Sequence, residues 1–176
     1  MSPTFSNPRY QSAVLLVLCA AAYAPAILAF FVKDDFALIT SARFDLVAAL
    51  GRSWPGGFFR PTAEWAFAGQ HALFGLSPPP YHLVSFAAHL TAAFCLYRLL
   101  LLLPLYRPLA PLAAALFALH PVNTETVSWI SGQMGLCATL CALAALYFAR
   151  VGRPIIALAA FILGLGFYEN FLFIIL

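Results

Sequence analysis

From Ala13 to Val32 the chain runs for twenty residues without a charged side chain. A helix over that run is about 30 Å long, the thickness of a bilayer's hydrocarbon core. Three more long apolar runs follow, at about 81–103, 127–149 and 154–176, with a shorter one at 109–122. A chain of 176 residues, 64% of them hydrophobic and only 9% charged, has no interior large enough to hide all of these from water. Soluble domains carry roughly 25% charged residues. The expected fold class is therefore all-α: a multi-pass transmembrane helix bundle forming one domain over residues 1–176.

The connections refine this expectation. Residues 33–80 form a long, less apolar loop. Within it, Thr62 to Leu76 places Trp65, Phe67 or Ala68, Ala72 and Leu73 at helical spacing, interrupted by Glu64, Gln70 and His71. That pattern suits a helix lying along the membrane interface. Ser77-Pro78-Pro79-Pro80 then stops it. Arg9, Arg98, Arg107, Arg150 and Arg153 fall on one side of the expected bilayer, whereas residues 120–133 hold no Lys or Arg. The positive-inside bias places the N-terminus in the cytoplasm and the loop 33–80 outside, where Lys33, Arg43, Arg52 and Arg60 balance Asp34, Asp35, Asp45 and Glu64. Ala22-Tyr23-Ala24 is followed by Pro25, which a signal-peptide cleavage site resists, so the first span is expected to be retained. Cys19, Cys95, Cys137 and Cys141 all sit in apolar runs and read as small helix residues, with no metal site. The net charge of +3 is scattered, with no basic run, so a nucleic-acid partner is not expected.

Against this background the polar residues stand out. Asp34 and Asp35 are adjacent acids where the chain leaves its first apolar run. A carboxylate there can take a proton from a hydroxyl or bind a divalent cation; a hydrated helix end is the plainer alternative. His82, Ser85 and His89 share one helix face, with His89 about 10 Å deeper than His82. At that depth they line a substrate cavity or hold helices together by hydrogen bonds. His120-Pro121 opens a polar turn that follows a run too short to cross. Asn123 or Thr124 suits an N-cap there, with Glu125 in the first helical turn. Arg60, set before Pro61, offers a planar cation to a phosphate or a lipid headgroup. Glu169 is a carboxylate inside an apolar run.

Four stretches together resemble a known family: "FVKDDFALITSARF", "FFRPTAEWAFAGQHALFGLSPPPYHLVSFAAHL", "ALFALHPVNTETVSWISGQMGLCATLCAL" and "GFYENFLFIIL". In order and spacing they are similar to the N-terminal membrane half of the polytopic, lipid-phosphate-sugar-dependent (GT-C type) glycosyltransferases. The nearest branch is the transmembrane and TPR-containing O-mannosyltransferases and their bacterial relatives. The resemblance implies a GT-C-like helical fold and transfer of a sugar, with mannose the candidate, from a polyprenyl-phosphate donor to a protein or glycan hydroxyl on the external or lumenal side, with inversion. It implies Asp34 and Asp35 as the catalytic pair, and Arg60, His82, His89, His120, Glu125 and Glu169 as substrate-binding positions. Gln133 stands where the family usually has Arg, and Tyr168 where it usually has Lys. The family has about twice as many spans, so the chain reads as a fragment, a truncated product or a degenerate member. The localisation expected is a bacterial inner membrane in preference to the endoplasmic reticulum. The alternative is a non-catalytic membrane protein that handles lipid-linked substrates or serves as an assembly subunit.

Overall fold

The computed structural model describes residues 8–32, 34–42, 58–169 and 171. Lys33, Arg43, Asp45, Arg52 and Asn170 lie outside the described residues. Among the described residues the chain is all-helical, with no β-strand. The helices are α1 (Pro8–Ile27), α2 (Asp35–Ser41), α3 (Pro61–Phe74), α4 (Pro78–Leu101), α5 (Ala110–Leu119), α6 (Asn123–Ser128), α7 (Gln133–Arg150) and α8 (Pro154–Phe167). Single 3₁₀ turns at Arg107–Leu109 and Ile130–Gly132 lead into α5 and α7.

Two helices, Pro78–Leu101 and the continuous run Ile130–Arg150, are long and apolar enough to cross a membrane. Only 28% and 33% of their apolar windows are buried inside the protein, far less than the core helix of a soluble domain would bury. The other apolar helices are shorter. The first expected span was to reach Val32, but α1 ends at Ile27. Pro25 is the physical reason: it has no N–H to give the Ala21 carbonyl. The chain leaves the helix through short bonds from Leu28 N–H to Pro25 O (3.3 Å) and Ala29 N–H to Ala26 O (3.1 Å).

The expected interfacial helix is α3, and it ends at Gly75, whose φ of +56° is a conformation that a side chain would strain. The prolines that were to stop it also open α4. They occupy its first turn, where a missing N–H removes no helical hydrogen bond. The helix expected from residue 127 begins in two pieces, because Trp129 is extended (φ −95°, ψ 121°) between α6 and the turn that opens α7. Gly132 permits this break, since a Cβ there would lie 3.0 Å from the Thr126 backbone.

Successive apolar helices from α4 to α8 alternate in direction. Gln133 at the start of α7 meets Tyr81 and Ser85 at the start of α4, and Tyr147 near its end meets Arg98 near the end of α4, so these two run parallel. Helix α5 returns along α4 and α1, with Ala110 and Ala114 against Tyr97 and Ala118 against Ala93. Small residues let these backbones approach closely, the usual means of packing helices in lipid. Helix α8 returns along α7, and Phe171 closes against Ala138 and Ala142. Outward-facing side chains such as Val17, Leu116, Ile155 and Leu158 are exposed, which suits contact with lipid. The ends of α1 and α8, the starts of α4 and α7, and helices α2 and α3 thus gather at one end of the bundle.

Candidate functional site at the polar end of the bundle

The adjacent acids are placed very differently. Asp34 is exposed, whereas Asp35 is 1% exposed. Asp35 Oδ2 accepts from Val32 N–H (2.9 Å) while Asp35 N–H donates to Val32 O (3.1 Å), a reciprocal pair that fixes the entry to α2. Its Oδ1 accepts from the Ser131 N–H (2.9 Å) and the Ser131 hydroxyl (2.6 Å). One carboxylate therefore clasps the first loop to the break at the top of α7. Ser131 was not singled out from the sequence. The signal for it was the polar island Ser131-Gly132-Gln133 inside an apolar run.

Arg60 and Glu169, noted separately in the sequence, are partners. Arg60 Nε donates to Glu169 Oε2 (2.7 Å) and Nη2 to Oε1 (2.5 Å), a two-pronged ion pair. Nη1 lies 3.5 Å from Met134 Sδ. The guanidinium carbon sits 4.4 Å from the Phe58 ring centroid and 4.5 Å from that of Tyr168. Hydrogen bonds from Arg60 hold the Glu169 carboxyl below its ordinary value of 4.5, against a weaker upward push from burial. A depressed native value means that the pair adds stability above the unfolded value and loses it as pH falls through the native one. The carboxylate is 40% exposed, so solvent screens the effect. Between roughly pH 5 and 3, wild-type protein in detergent should lose a little more stability than Glu169→Gln. Equal pH slopes in unfolding measurements would show that the pair contributes nothing.

The two histidines on α4 close helix ends. Helix α5 stops deep in the bundle, and its last carbonyls need partners. Ala118 O accepts from Tyr23 Oη (3.1 Å) and from His89 Nε2 (2.9 Å), and Phe117 O accepts from Asn123 Nδ2 (2.6 Å). Either Asn123 or Thr124 was expected to cap the following helix. Instead Asn123 turns back to cap the preceding one, and α6 has no side-chain cap. His82 Nε2 donates to Ala29 O (3.2 Å), just beyond the end of α1. A carbonyl only accepts, so in both rings Nε2 carries a proton. Both Nδ1 atoms are buried and meet no hydrogen-bond partner among the described residues.

Gln133, at the position where the resemblance expects Arg, is buried in an amide network. Its Oε1 accepts from Gln70 Nε2 (2.6 Å), and its Nε2 donates to Ser85 Oγ (3.1 Å) and Tyr81 O (3.3 Å). His120 is exposed, with Nδ1 accepting from Val122 N–H (3.2 Å) inside its own turn, and Glu125 is exposed in the first turn of α6. The structure therefore joins Asp35 to Ser131 and Arg60 to Glu169, while the hydrogen bond of His120 stays local. Among the described residues no three His, Cys, Asp or Glu side chains gather to hold a metal.

Comparison with known proteins bears on this geometry. The chain is 33% identical over 89 residues to "Protein O-mannosyl-transferase Tmtc1" of Drosophila melanogaster, covering 51% of this chain and 10% of that protein. It is 36% identical over 84 residues to "Protein O-mannosyl-transferase TMTC2" of Homo sapiens, covering 47% of this chain and 10% of that protein. A Caenorhabditis elegans protein O-mannosyl-transferase is 35% identical over 100 residues, covering 55% of this chain and 14% of its own length. The chain thus spans about a tenth of the length of the curated relatives it matches. No family model and no solved structure matches. These relatives are animal proteins and lend no weight to the bacterial inner membrane expected from the sequence.

Proposed function

We propose that this chain is a multi-pass membrane protein of the glycosyltransferase kind. It moves a sugar, with mannose the candidate, from a polyprenyl-phosphate donor to a hydroxyl of a protein or glycan on the external or lumenal side. The observation that carries the reading is the joining of two sequence-distant polar pairs, Asp35 to Ser131 and Arg60 to Glu169, at one end of an apolar bundle. The names of the partial relatives supply the reaction class.

The burial difference supports a division of roles. Asp34, open to solvent, takes the acceptor's proton as its oxygen attacks the anomeric carbon. Asp35 positions it by anchoring the loop to α7. Arg60 meets the phosphate that leaves as the bond from sugar to phosphate breaks, and one-step attack inverts the anomeric carbon. The protein's main contribution is to hold donor and acceptor in line. His82 and His89 support the site from below through the ends of α1 and α5.

The rival reading is a non-catalytic protein that handles lipid-linked substrates or serves as an assembly subunit. It draws on one observation: Gln133 and Tyr168, at the positions where the resemblance expects cations, engage protein groups instead. The deciding experiment incubates membranes expressing the chain with radiolabelled polyprenyl-phosphate mannose and a hydroxyl acceptor. Transfer of label above that of empty membranes is expected. Binding of the donor without transfer would favour the rival, and neither binding nor transfer would overturn the reading.

A further inference from the structure

Arg60 and Glu169 differ in how firmly each is held. The Arg60 side chain is 11% exposed, lies against two aromatic rings and touches the Met134 sulfur. The Glu169 side chain is 40% exposed and follows the last residue of α8, Phe167, across an extended Tyr168. Its carboxylate can rotate into water and be solvated there. Arg60 cannot leave without giving up its rings. The two-pronged geometry that Glu169 offers to Nε and Nη2 is also the geometry that a phosphate offers. While Glu169 is in place, those two donors are occupied.

We propose that Glu169 is an exchangeable counter-ion: it closes the Arg60 site at rest and is displaced by an anionic phosphate headgroup, which takes over its two N–H donors. This rests on the reading of Arg60 as the donor-phosphate contact and adds how that contact is regulated. The exchange breaks no covalent bond, and Arg60 has a counter-charge before and after it. The partly buried cation is therefore never left unpaired, a state that would be costly. Ligand affinity is set by competition with an internal carboxylate, so a weak or singly contacting anion leaves the site closed.

The test is equilibrium binding of tritiated undecaprenyl monophosphate to the purified chain in detergent micelles. Glu169→Gln should bind roughly tenfold more tightly than wild type, and Arg60→Gln should lose binding with or without Glu169→Gln. Glu169→Asp decides between exchange and simple repulsion. It keeps the charge, but its side chain is one methylene shorter and falls short of both donors, so exchange predicts binding roughly threefold tighter than wild type. If Glu169→Gln binds more tightly but Glu169→Asp binds like wild type, the carboxylate acts only by repulsion and the exchange is wrong. If neither Glu169 variant tightens binding while Arg60→Gln abolishes it, the exchange fails and the phosphate contact stands. If Arg60→Gln binds like wild type, the phosphate contact itself fails. Unfolding midpoints in the same detergent identify a variant that has not folded, and Glu169→Asp, the milder change, then decides alone. Phosphatidic acid run in parallel separates a prenyl phosphate from an ordinary lipid phosphate; a Glu169-dependent response to either supports the exchange.

Discussion

Replacing Asp35 with alanine should destabilise the protein by about 3 kcal/mol, while Asp34→Asn should leave stability within about 0.5 kcal/mol of wild type. The difference follows from burial. Removing the Asp35 carboxylate strands the buried Ser131 N–H and hydroxyl and releases the part-buried Val32 N–H, and an unmet buried donor costs roughly 1–3 kcal/mol. Asp35→Asn keeps the volume but turns an amide N–H₂ toward one of those donors, so it should cost about 2 kcal/mol. Ser131→Ala removes only the hydroxyl bond and should cost about 1 kcal/mol, less in an Asp35→Ala background. Activity should follow the opposite order. In the labelled-donor assay Asp34→Asn should lower transfer by about 10²- to 10⁴-fold in folded protein, as expected for loss of a general base. Unfolding in mixed detergent micelles and transfer rates measured on the same preparations separate the two effects. A stable Asp35→Ala protein, or a fully active Asp34→Asn protein, would reverse the roles assigned here.

The sequence could not distinguish those two acids. They are neighbours with the same chemistry, and what separates them is a contact from Asp35 to Ser131, nearly a hundred residues away. What depended on local pattern was legible. The spacing of Trp65, Phe67, Ala72 and Leu73 placed α3 within a residue or two of where it lies, and the apolar runs marked the two helices long enough to cross a membrane. Arg60 stood out as a cation set before Pro61 and Glu169 as a carboxylate inside an apolar run, but their pairing needed the return of α8 beside α3. Helix ends were least legible. Pro25, Trp129 and the proline triplet act through backbone hydrogen bonds, which depend on how the turns close. The histidines show the same limit. Their shared face was evident, but the groups they meet are carbonyls, and every residue has one. Only the fold reveals that Ala29 and Ala118 lack helical partners.

Gly166 is where fold and site meet, and Gly166→Ala is expected to be strongly destabilising. The first turn of α3 lies directly on this position. A Cβ there would collide with Thr62 Oγ1 and come within 3.2 Å of the Thr62 backbone nitrogen. Rotation of the Thr62 hydroxyl relieves the first contact but not the second, so the start of α3 must shift. Overpacking of this kind costs roughly 1–3 kcal/mol. Arg60 immediately precedes α3, and Glu169 lies three residues beyond Gly166, so the shift acts on their ion pair as well. Thr62→Ala should recover part of the loss, because it removes the hydroxyl that collides first. Gly135→Ala is the matched control. That glycine lies in α7 with nothing within 4 Å of its would-be Cβ, so alanine there should stabilise by roughly 0.5–1 kcal/mol through helix propensity alone. Unfolding measurements on the two variants should therefore move in opposite directions. If Gly166→Ala is as harmless as Gly135→Ala, α3 does not rest on α8 as described, and the geometry that brings Arg60 to Glu169 is lost with it.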